Sequence, residues 1–507
     1  MINNGVEIPK NIADAICQNS SDQMALRDQL NQIITYRKLN QEISRFQAGL
    51  RSHGFKTGHR VFVLLPNSND LLSILIALFA EGCVPVVIDP RLPFKMWIKA
   101  IEHAQPIAII SSQKLLRFRW IQWKLFRFQL FQWEGSSWGV KSLQSLRFIG
   151  PPSSTTKSLQ DAKTQPMNLE DEVLITYTSG TTGKPNPIIR THRVIATQQV
   201  LSRKYLPPLK RDVHMAGYTV SILQSLVEGA INQIPDLTNM EPNIDKLNEG
   251  LITRLSGPPG FLAQMVKKMK ANSVSVLTVE NILIGGAPIP RWLIRDLILC
   301  FPKASITLVY GCTECEPIAF GEAQYYLDNN LSGYFVGHPI AEVKIHQEPF
   351  PLWHAPGAFI ISLSGANVVL ANQILTHQTG DIATYDKSGG LWLLGRTADL
   401  IQLPQGITAP AAFEIVIEEI PGIIRVALIQ RSQSVFLFYE GLKGLEEQII
   451  EKLFVLNIAI DWIVHLEKIP VDRRHQWKIQ RSILQVEGKF PGRVFKKTYV
   501  SSKVSNS

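Results

Sequence analysis

The sequence predicts an α/β protein whose body is a doubly wound parallel sheet. Three observations predict it. Helical and strand patterns alternate through the first third of the chain; the strands are continuous apolar runs, as in sheets covered on both faces; and several run straight into glycine-rich or small-residue loops. Open α/β sheets bind ligands at such loops. In order, residues 39–50 (LNQEISRFQAGL) space their apolar side chains as a helix does, and residues 60–65 (RVFVLL) read as a buried strand. Residues 71–80 read as an apolar helix bracketed by Asp70 and Glu81, and residues 84–88 (VPVVI) as the next strand. The same punctuation returns at 173–177, 282–284 and 305–309 (SITLV). Two stretches break the pattern. From Lys114 to Trp133, basic residues interleave with Phe and Trp, and residues 150–165 are rich in Pro, Ser, Thr and Lys, as a loop or linker is. The basic, then serine-rich residues 489–507 are expected to fray, and no internal repeat is present.

At 507 residues the chain suggests about three compact units, or two if one is large. A composition of 45% hydrophobic and 19% charged residues excludes a disordered chain. The net charge of +10 is mild for this length, so anionic ligands are favoured but nucleic acid is not expected as a partner. Five scattered cysteines predict no disulfide framework and a reducing compartment. No apolar run approaches the ~18 residues of a membrane span. The first residues lack the basic, apolar and small-residue pattern of a secretory signal, so a cytoplasmic protein is expected.

The strongest chemical signal is residues 174–192, LITYTSGTTGKPNPIIRTH. A strand delivers Thr178, Ser179, Gly180, Thr181, Thr182, Gly183 and Lys184 as a loop of hydroxyls, backbone amides and one cation. Glycine lets the backbone turn its N–H groups toward an anion, and Lys184 adds charge, which is what a polyphosphate needs. A polar turn after a strand is the plainer alternative. The glycine spacing, with Pro185 after the lysine, is not that of a Walker loop.

Further motifs follow in a fixed order. They are GGAP with Gly285, Gly286, Ala287 and Pro288; VYGCTECEP with Tyr310, Gly311, Thr313 and Glu314; QTGDIATYD with Thr379, Gly380 and Asp381; LLGRTADLI with Gly395, Arg396 and Asp399; and IPVDRRHQWKIQR with Lys478. Together with ITYRKLN, LLPNS and DPRLP upstream, the series over about residues 30–485 resembles the adenylate-forming superfamily: acyl-CoA synthetases, peptide-synthetase adenylation domains and relatives. The resemblance implies a large N-terminal body of doubly wound sheets, residues 1–395, and a small mobile α+β lid, residues 396–507. It implies ATP and Mg²⁺ as cofactors and a carboxylic acid as substrate. Thr178 to Lys184 would cradle the phosphates, Gly286 to Pro288 would wall the adenine, and Tyr310 would pack on the base, with Gly311 and Thr313 completing that motif. Glu314 would hold Mg²⁺, Asp381 would accept the ribose hydroxyls, Arg396 would contact the ribose, Asp399 would mark the hinge, and Lys478 would be the adenylation lysine. The catalytic set is Lys478, Glu314 and Thr178.

Within the superfamily, residues 403–414, 423–429 and 470–481 resemble the olefin-pathway β-lactone synthetases and nearby acyl-AMP ligases. The resemblance implies a long-chain or β-hydroxy fatty acid, with lactone closure as the favoured onward step. A ligase passing the acyl group to coenzyme A or a carrier protein is the alternative, and a non-catalytic nucleotide- or lipid-binding relative is a rival of another class. Asn186 and Pro187, Gln402 and Gln480 depart from the family pattern, the first three replacing a lysine, a glycine and another lysine. The aromatic, basic stretch from Lys114 to Trp133 has two readings, a buried segment with a basic rim or a contact with anionic membrane. Cys312 and Cys315 form a C-x-x-C, but the residues between them belong to the nucleotide motif and no second pair exists. Small buried cysteines are expected there. Gly135, Ser137 and Gly139 match a hydrolase elbow without its flanking strand. His192 is expected as a segment residue and not a base, and His214 either lines the acyl pocket or is packed.

Overall fold

The computed structural model describes residues 11–112, 116, 125–134, 140–147, 167–178, 186–207, 211–369, 376–472, 476–486 and 494–495. The chain forms two compact units, residues 1–256 with 366–369, and residues 257–365 with 370–507.

In the first unit, the strand Arg60–Leu64 runs parallel to Val84–Val87 on one side and to Ala108–Ser112 on the other, so the chain winds outward in both directions. The helix Asn69–Ala80 makes the first crossover. Ser68 caps it by accepting from the Leu71 amide, and every residue from Leu71 to Ala80 is buried, as an apolar-all-round helix requires. The predicted helix at 39–50 is Tyr36–Ser52, begun three residues earlier because the Thr35 hydroxyl caps it. Its Leu39, Ile43, Phe46 and Leu50 line one buried stripe.

The sheet continues through Gln129–Trp133, parallel to Ala108–Ser112, and through Glu172–Thr178, parallel to Val84–Val87. Thus the carboxyl end of the aromatic, basic stretch is a core strand. Phe131 is buried and the Trp133 indole donates to Asp70 at 2.8 Å, while Phe126 stands 76% exposed. Residues 114–115 and 117–124 lie outside the described residues, as do the GSSWG segment and residues 150–165. A second sheet in this unit carries Val213–Ala216. There His214 is buried between Ser225 Oγ at 2.6 Å and Ser256 Oγ at 2.9 Å, so it is a packed histidine. Burial pushes its pKa down to about 3, with the Arg254 charge adding to the shift.

In the second unit, Asn281–Gly285 and Ser305–Cys312 are parallel, as the sequence predicts. From there the sheet turns antiparallel, through Cys315–Glu322, Tyr334–Pro339, Leu391–Arg396, His377–Tyr385, Phe359–Ser364 and Lys344–Pro349. The stretch from residue 396 onward carries a separate four-stranded sheet, Ile423–Arg431, Ser434–Gly441, Trp462–Leu466 and Val494–Phe495, with the helices Ala411–Ile417 and Glu446–Val455. Its Val426, Leu428, Leu437 and Ile449 share an apolar core with Ala358, Ile382 and Leu394. No helix among the described residues is long and apolar enough to cross a membrane.

Candidate active site

Most of the motif residues belong to the second unit, and the fold brings four of them into one electrostatic neighbourhood. Asp381 and Arg396 are direct partners across an antiparallel ladder, and Arg396 Nε donates to Asp381 Oδ1 at 2.8 Å. The other carboxylate oxygen, Oδ2, accepts from the Tyr310 hydroxyl at 2.7 Å. Burial raises the Tyr310 pKa well above the phenol range, and the Asp381 charge reinforces it, so the hydroxyl stays a donor. Arg396 is held charged, chiefly by Asp381. Thr379 supports the carboxylate from behind: its hydroxyl accepts from the Asp381 amide at 3.0 Å and donates to the Ile361 carbonyl at 3.1 Å.

Asp386 holds the turn of this ladder, and a bulge beside Ile382 and Ala383 sets the register beyond it. Asp386 accepts from the amides of Ser388 and Gly390, from the Trp392 indole at 2.8 Å and from the Tyr325 hydroxyl at 2.9 Å. These bonds hold its carboxyl well below the usual carboxylate range, against the burial that raises it.

Lys478 sits in a loop closed on itself. Its amide donates to Asp472 Oδ1 at 3.1 Å, its carbonyl accepts from the Asp472 amide at 2.8 Å, and Val471 bridges Ile479. The protein around Lys478 lowers its pKa, and the Arg396 charge lowers it further, while Asp381, Asp472 and Asp399 pull the other way. The side chain keeps an open face to solvent, which screens part of these effects.

Two neighbours anchor the loop. Arg481 reaches Glu414 through two N–H groups at 2.7 and 2.6 Å, and its Nε lies 3.4 Å from Asp399. Trp477 is buried beneath the Arg425 guanidinium, 4.4 Å above the ring. The sequence motifs contain Arg481 and Glu414, but not their pairing. The available signal was an acid in an otherwise apolar helix, where a buried charge needs a partner.

The GGAP turn follows Asn281–Gly285. A Cβ on Gly285 would stand 2.2 Å from the Val309 carbonyl, and Gly286 takes φ +81°, so both positions require glycine. Beyond them Gly286 and Pro288 are exposed and Ala287 half-buried, leaving the turn accessible.

Glu314 and Thr313 form the two-residue turn between Ser305–Cys312 and Cys315–Glu322, which makes Cys312 and Cys315 direct cross-strand partners. Both are free thiols. Cys315 is buried as expected, but Cys312 is only half-buried, because it lies at the open end of its strand. There Cys312, Glu314 and His377 bring their Sγ, carboxylate and imidazole atoms within 4.8 Å of one another. No motif in the sequence marks His377. For Mg²⁺, a hard ion that takes one or two carboxylates together with substrate phosphates and water, Glu314 is the fitting donor of the three.

Of the phosphate loop, Ser179, Gly180, Thr181, Thr182, Gly183 and Lys184 lie outside the described residues, as does the side chain of Thr178. The flanking strands are described. Thr178 pairs with Asn186 and Tyr177 with Pro187, so the two departures from the family pattern begin an antiparallel strand at the sheet edge, where proline is tolerated. His192 opens the following helix and is buried, which lowers its pKa. Gln402 donates through its side-chain amide to the Leu403 carbonyl at 2.8 Å.

Known proteins are similar to this chain in sequence and in fold. An olefin β-lactone synthetase of Stenotrophomonas maltophilia (strain K279a) is 24% identical over 515 aligned residues, covering 89% of this chain and 91% of that protein. Among solved structures, an anthranilate CoA ligase in complex with anthranoyl-AMP superposes with a TM-score of 0.80 at 17% identity, over 94% of this chain and 97% of that one. The O-succinylbenzoate coenzyme A synthetase of Bacillus subtilis, in complex with AMP, gives a TM-score of 0.77, also at 17% identity, over 95% and 99% of the two chains. The model of the family described as "AMP-binding enzyme" matches residues 13–370, and by that match, with the motifs and fold above, the chain belongs to the adenylate-forming AMP-binding enzymes.

Proposed function

We propose that this enzyme condenses ATP with a long β-hydroxy acid to an acyl-adenylate and pyrophosphate, and that the substrate's own hydroxyl then closes on the activated carbonyl to release AMP and a β-lactone. The observation that carries the first step is the Asp381 carboxylate, bonded to Tyr310 and Arg396 and within electrostatic reach of Lys478. Each oxygen of Asp381 has acceptor capacity beyond its one protein donor, enough for the two ribose hydroxyls. The GGAP turn and Tyr310 would bound the adenine, and Thr178 to Lys184 the outgoing phosphates. In-line attack of the carboxylate on the α-phosphate demands positioning and charge stabilisation above all. Lys478 supplies a cation where that charge grows, from a backbone position held by Asp472. Glu314 would hold Mg²⁺, whose chemistry there would be the neutralisation of phosphate charge. Residues 396–507 would serve as the mobile lid, with the hinge at Asp399.

The second step rests on the β-lactone synthetase relative and on Gln402, which replaces a cation near the hinge. The β-hydroxyl oxygen bonds to the carbonyl carbon, the bond from that carbon to the AMP oxygen breaks, and the hydroxyl proton is released. A tethered nucleophile enjoys an effective molarity of up to ~10⁵ M or more, part of which ring strain takes back. A cytoplasmic setting fits the free cysteines. Any contact with an anionic membrane rests on residues 114–128, where Phe126 is exposed, since 129–133 are sheet.

ATP–pyrophosphate exchange across a panel of acids tests the first step. A long β-hydroxy acid with ATP and Mg²⁺ should then yield AMP and lactone with no thiol added. A requirement for coenzyme A or a charged carrier, with a plain fatty acid serving equally well, would make the enzyme a thioester ligase instead.

A further inference from the structure

Cys312 and His377 join Glu314 in a donor set whose thiol and imidazole have no part in the adenylation chemistry. Cys312 precedes a two-residue turn that contains Glu314, and His377 opens the strand whose Asp381 is bonded to Tyr310 of the Cys312 strand. That bond draws the ends of the two strands together. The result is one thiol, one carboxylate and one imidazole, all half-buried, with donor atoms no more than 4.8 Å apart. We infer that these three side chains form a binding site for a borderline-soft divalent cation of the zinc class.

The chemistry of the donors selects the ion. A thiolate and an imidazole are poor ligands for Mg²⁺ or Ca²⁺, which take oxygen, whereas zinc accepts S, N and O together. The spacing is close to what coordination needs. With Zn–S at ~2.3 Å and Zn–N or Zn–O at ~2.0–2.1 Å, tetrahedral donors lie roughly 3.4–3.6 Å apart. Side-chain rotations that close the set by about 1 Å therefore suffice, without movement of the strands. Half-burial leaves the ion an entry path and a fourth position for water or a ligand oxygen. Binding releases the thiol proton, and the metal–sulfur bond replaces the S–H bond.

The site and the proposed Mg²⁺ role of Glu314 are mutually exclusive at that carboxylate. If the adenylation reading holds, zinc bound here inhibits.

The test is cobalt titration of the full-length protein, reduced and metal-free, with neither ATP nor acid present, so that its outcome is independent of the adenylation reading. One equivalent of Co²⁺ should produce a sulfur-to-cobalt charge-transfer band in the near ultraviolet, and Zn²⁺ should abolish it by displacement, since zinc has no d-electron preference against a tetrahedral site of S, N and O donors. Cys312→Ser should lose the band and Cys315→Ser should keep it. His377→Asn should weaken zinc binding by more than the ~10–100-fold that loss of an outer-shell partner costs. Circular dichroism of each variant reports folding, and should Cys312→Ser misfold, His377→Asn decides. No charge-transfer band, a band that survives Cys312→Ser, or unchanged zinc affinity in folded His377→Asn overturns the site. In the exchange assay, zinc should inhibit the wild type at concentrations that spare His377→Asn.

Discussion

Replacing Glu414 with alanine tests whether the Lys478 loop is pinned by a buried charge pair. The Glu414 side chain is 2% exposed and that of Arg481 12%. Glu414 accepts from Arg481 at 2.7 and 2.6 Å and from the Leu428 amide at 2.7 Å. Among the described residues, the truncation leaves a buried guanidinium with the Leu428 carbonyl at 3.0 Å and Asp399 at 3.4 Å. Stranding one member of a buried pair costs about 3–5 kcal/mol, and the surviving partners place this case near the lower end. The double variant Glu414→Leu with Arg481→Met removes both charges and should recover most of that loss, since apolar replacements of buried pairs are often neutral or better. Urea unfolding of the wild type, Glu414→Leu, Arg481→Met and the double supplies the coupling energy. The stable double variant should still exchange pyrophosphate poorly, because Arg481 no longer fixes the segment three residues beyond Lys478. A single variant within about 1 kcal/mol of wild type, or a double as unstable as the sum of its singles, would refute the reasoning.

Three further outcomes are expected. Lys478→Ala should lower ATP–pyrophosphate exchange by roughly 10²–10³-fold, the worth of one cation at a developing dianion; wild-type rates would reassign the lysine. Asp381→Asn should raise the KM for ATP by about tenfold or more, because a charge-assisted acceptor becomes a neutral amide that Arg396 and Tyr310 no longer favour. Glu418, buried beside Glu414 and accepting from the Tyr334 hydroxyl at 3.1 Å, has its pKa pushed up to about 8 by burial first and the Glu414 charge second. The folded chain thus holds a proton that the unfolded chain gives up near its ordinary 4.5, so stability falls as pH rises from there through 8. Glu418→Gln should flatten that decline in denaturation at pH 6 and pH 9, and an unchanged slope would remove Glu418 as its source.

Much of this architecture is legible in the sequence because local pattern and tertiary role coincide. The runs at Arg60–Leu64 and Val84–Val87 are apolar since both their faces are covered, and Ser68 before an apolar run marks a helix start. The motif order likewise announces Asp381, Arg396 and Lys478. What escapes is whatever depends on distant partners. The two-residue turn at Thr313 and Glu314 lacks the Asn-Gly or Asp-Gly that commonly marks a hairpin, so the change of direction after Ser305–Cys312 escapes. Residues 129–133 look interfacial because of Trp133, whose indole is satisfied by Asp70, a residue far upstream. A single histidine such as His377 carries no spacing signal at all, and only the fold sets it beside Cys312 and Glu314.

The turn at Asp386 has a consequence for how the gene tolerates change. Asp381 and Arg396 face each other because the chain reverses at one set position between them and because a bulge beyond that turn adds one further residue to the Arg396 strand. In a ladder, a shift of one residue turns every side chain to the opposite face. Single-codon insertions or deletions at residues 386–390 should therefore abolish nucleotide binding as completely as losing the carboxylate itself, although that turn contributes no atom to the ligand. A library of such length variants would show an intolerant surface loop where position alone predicts a permissive one.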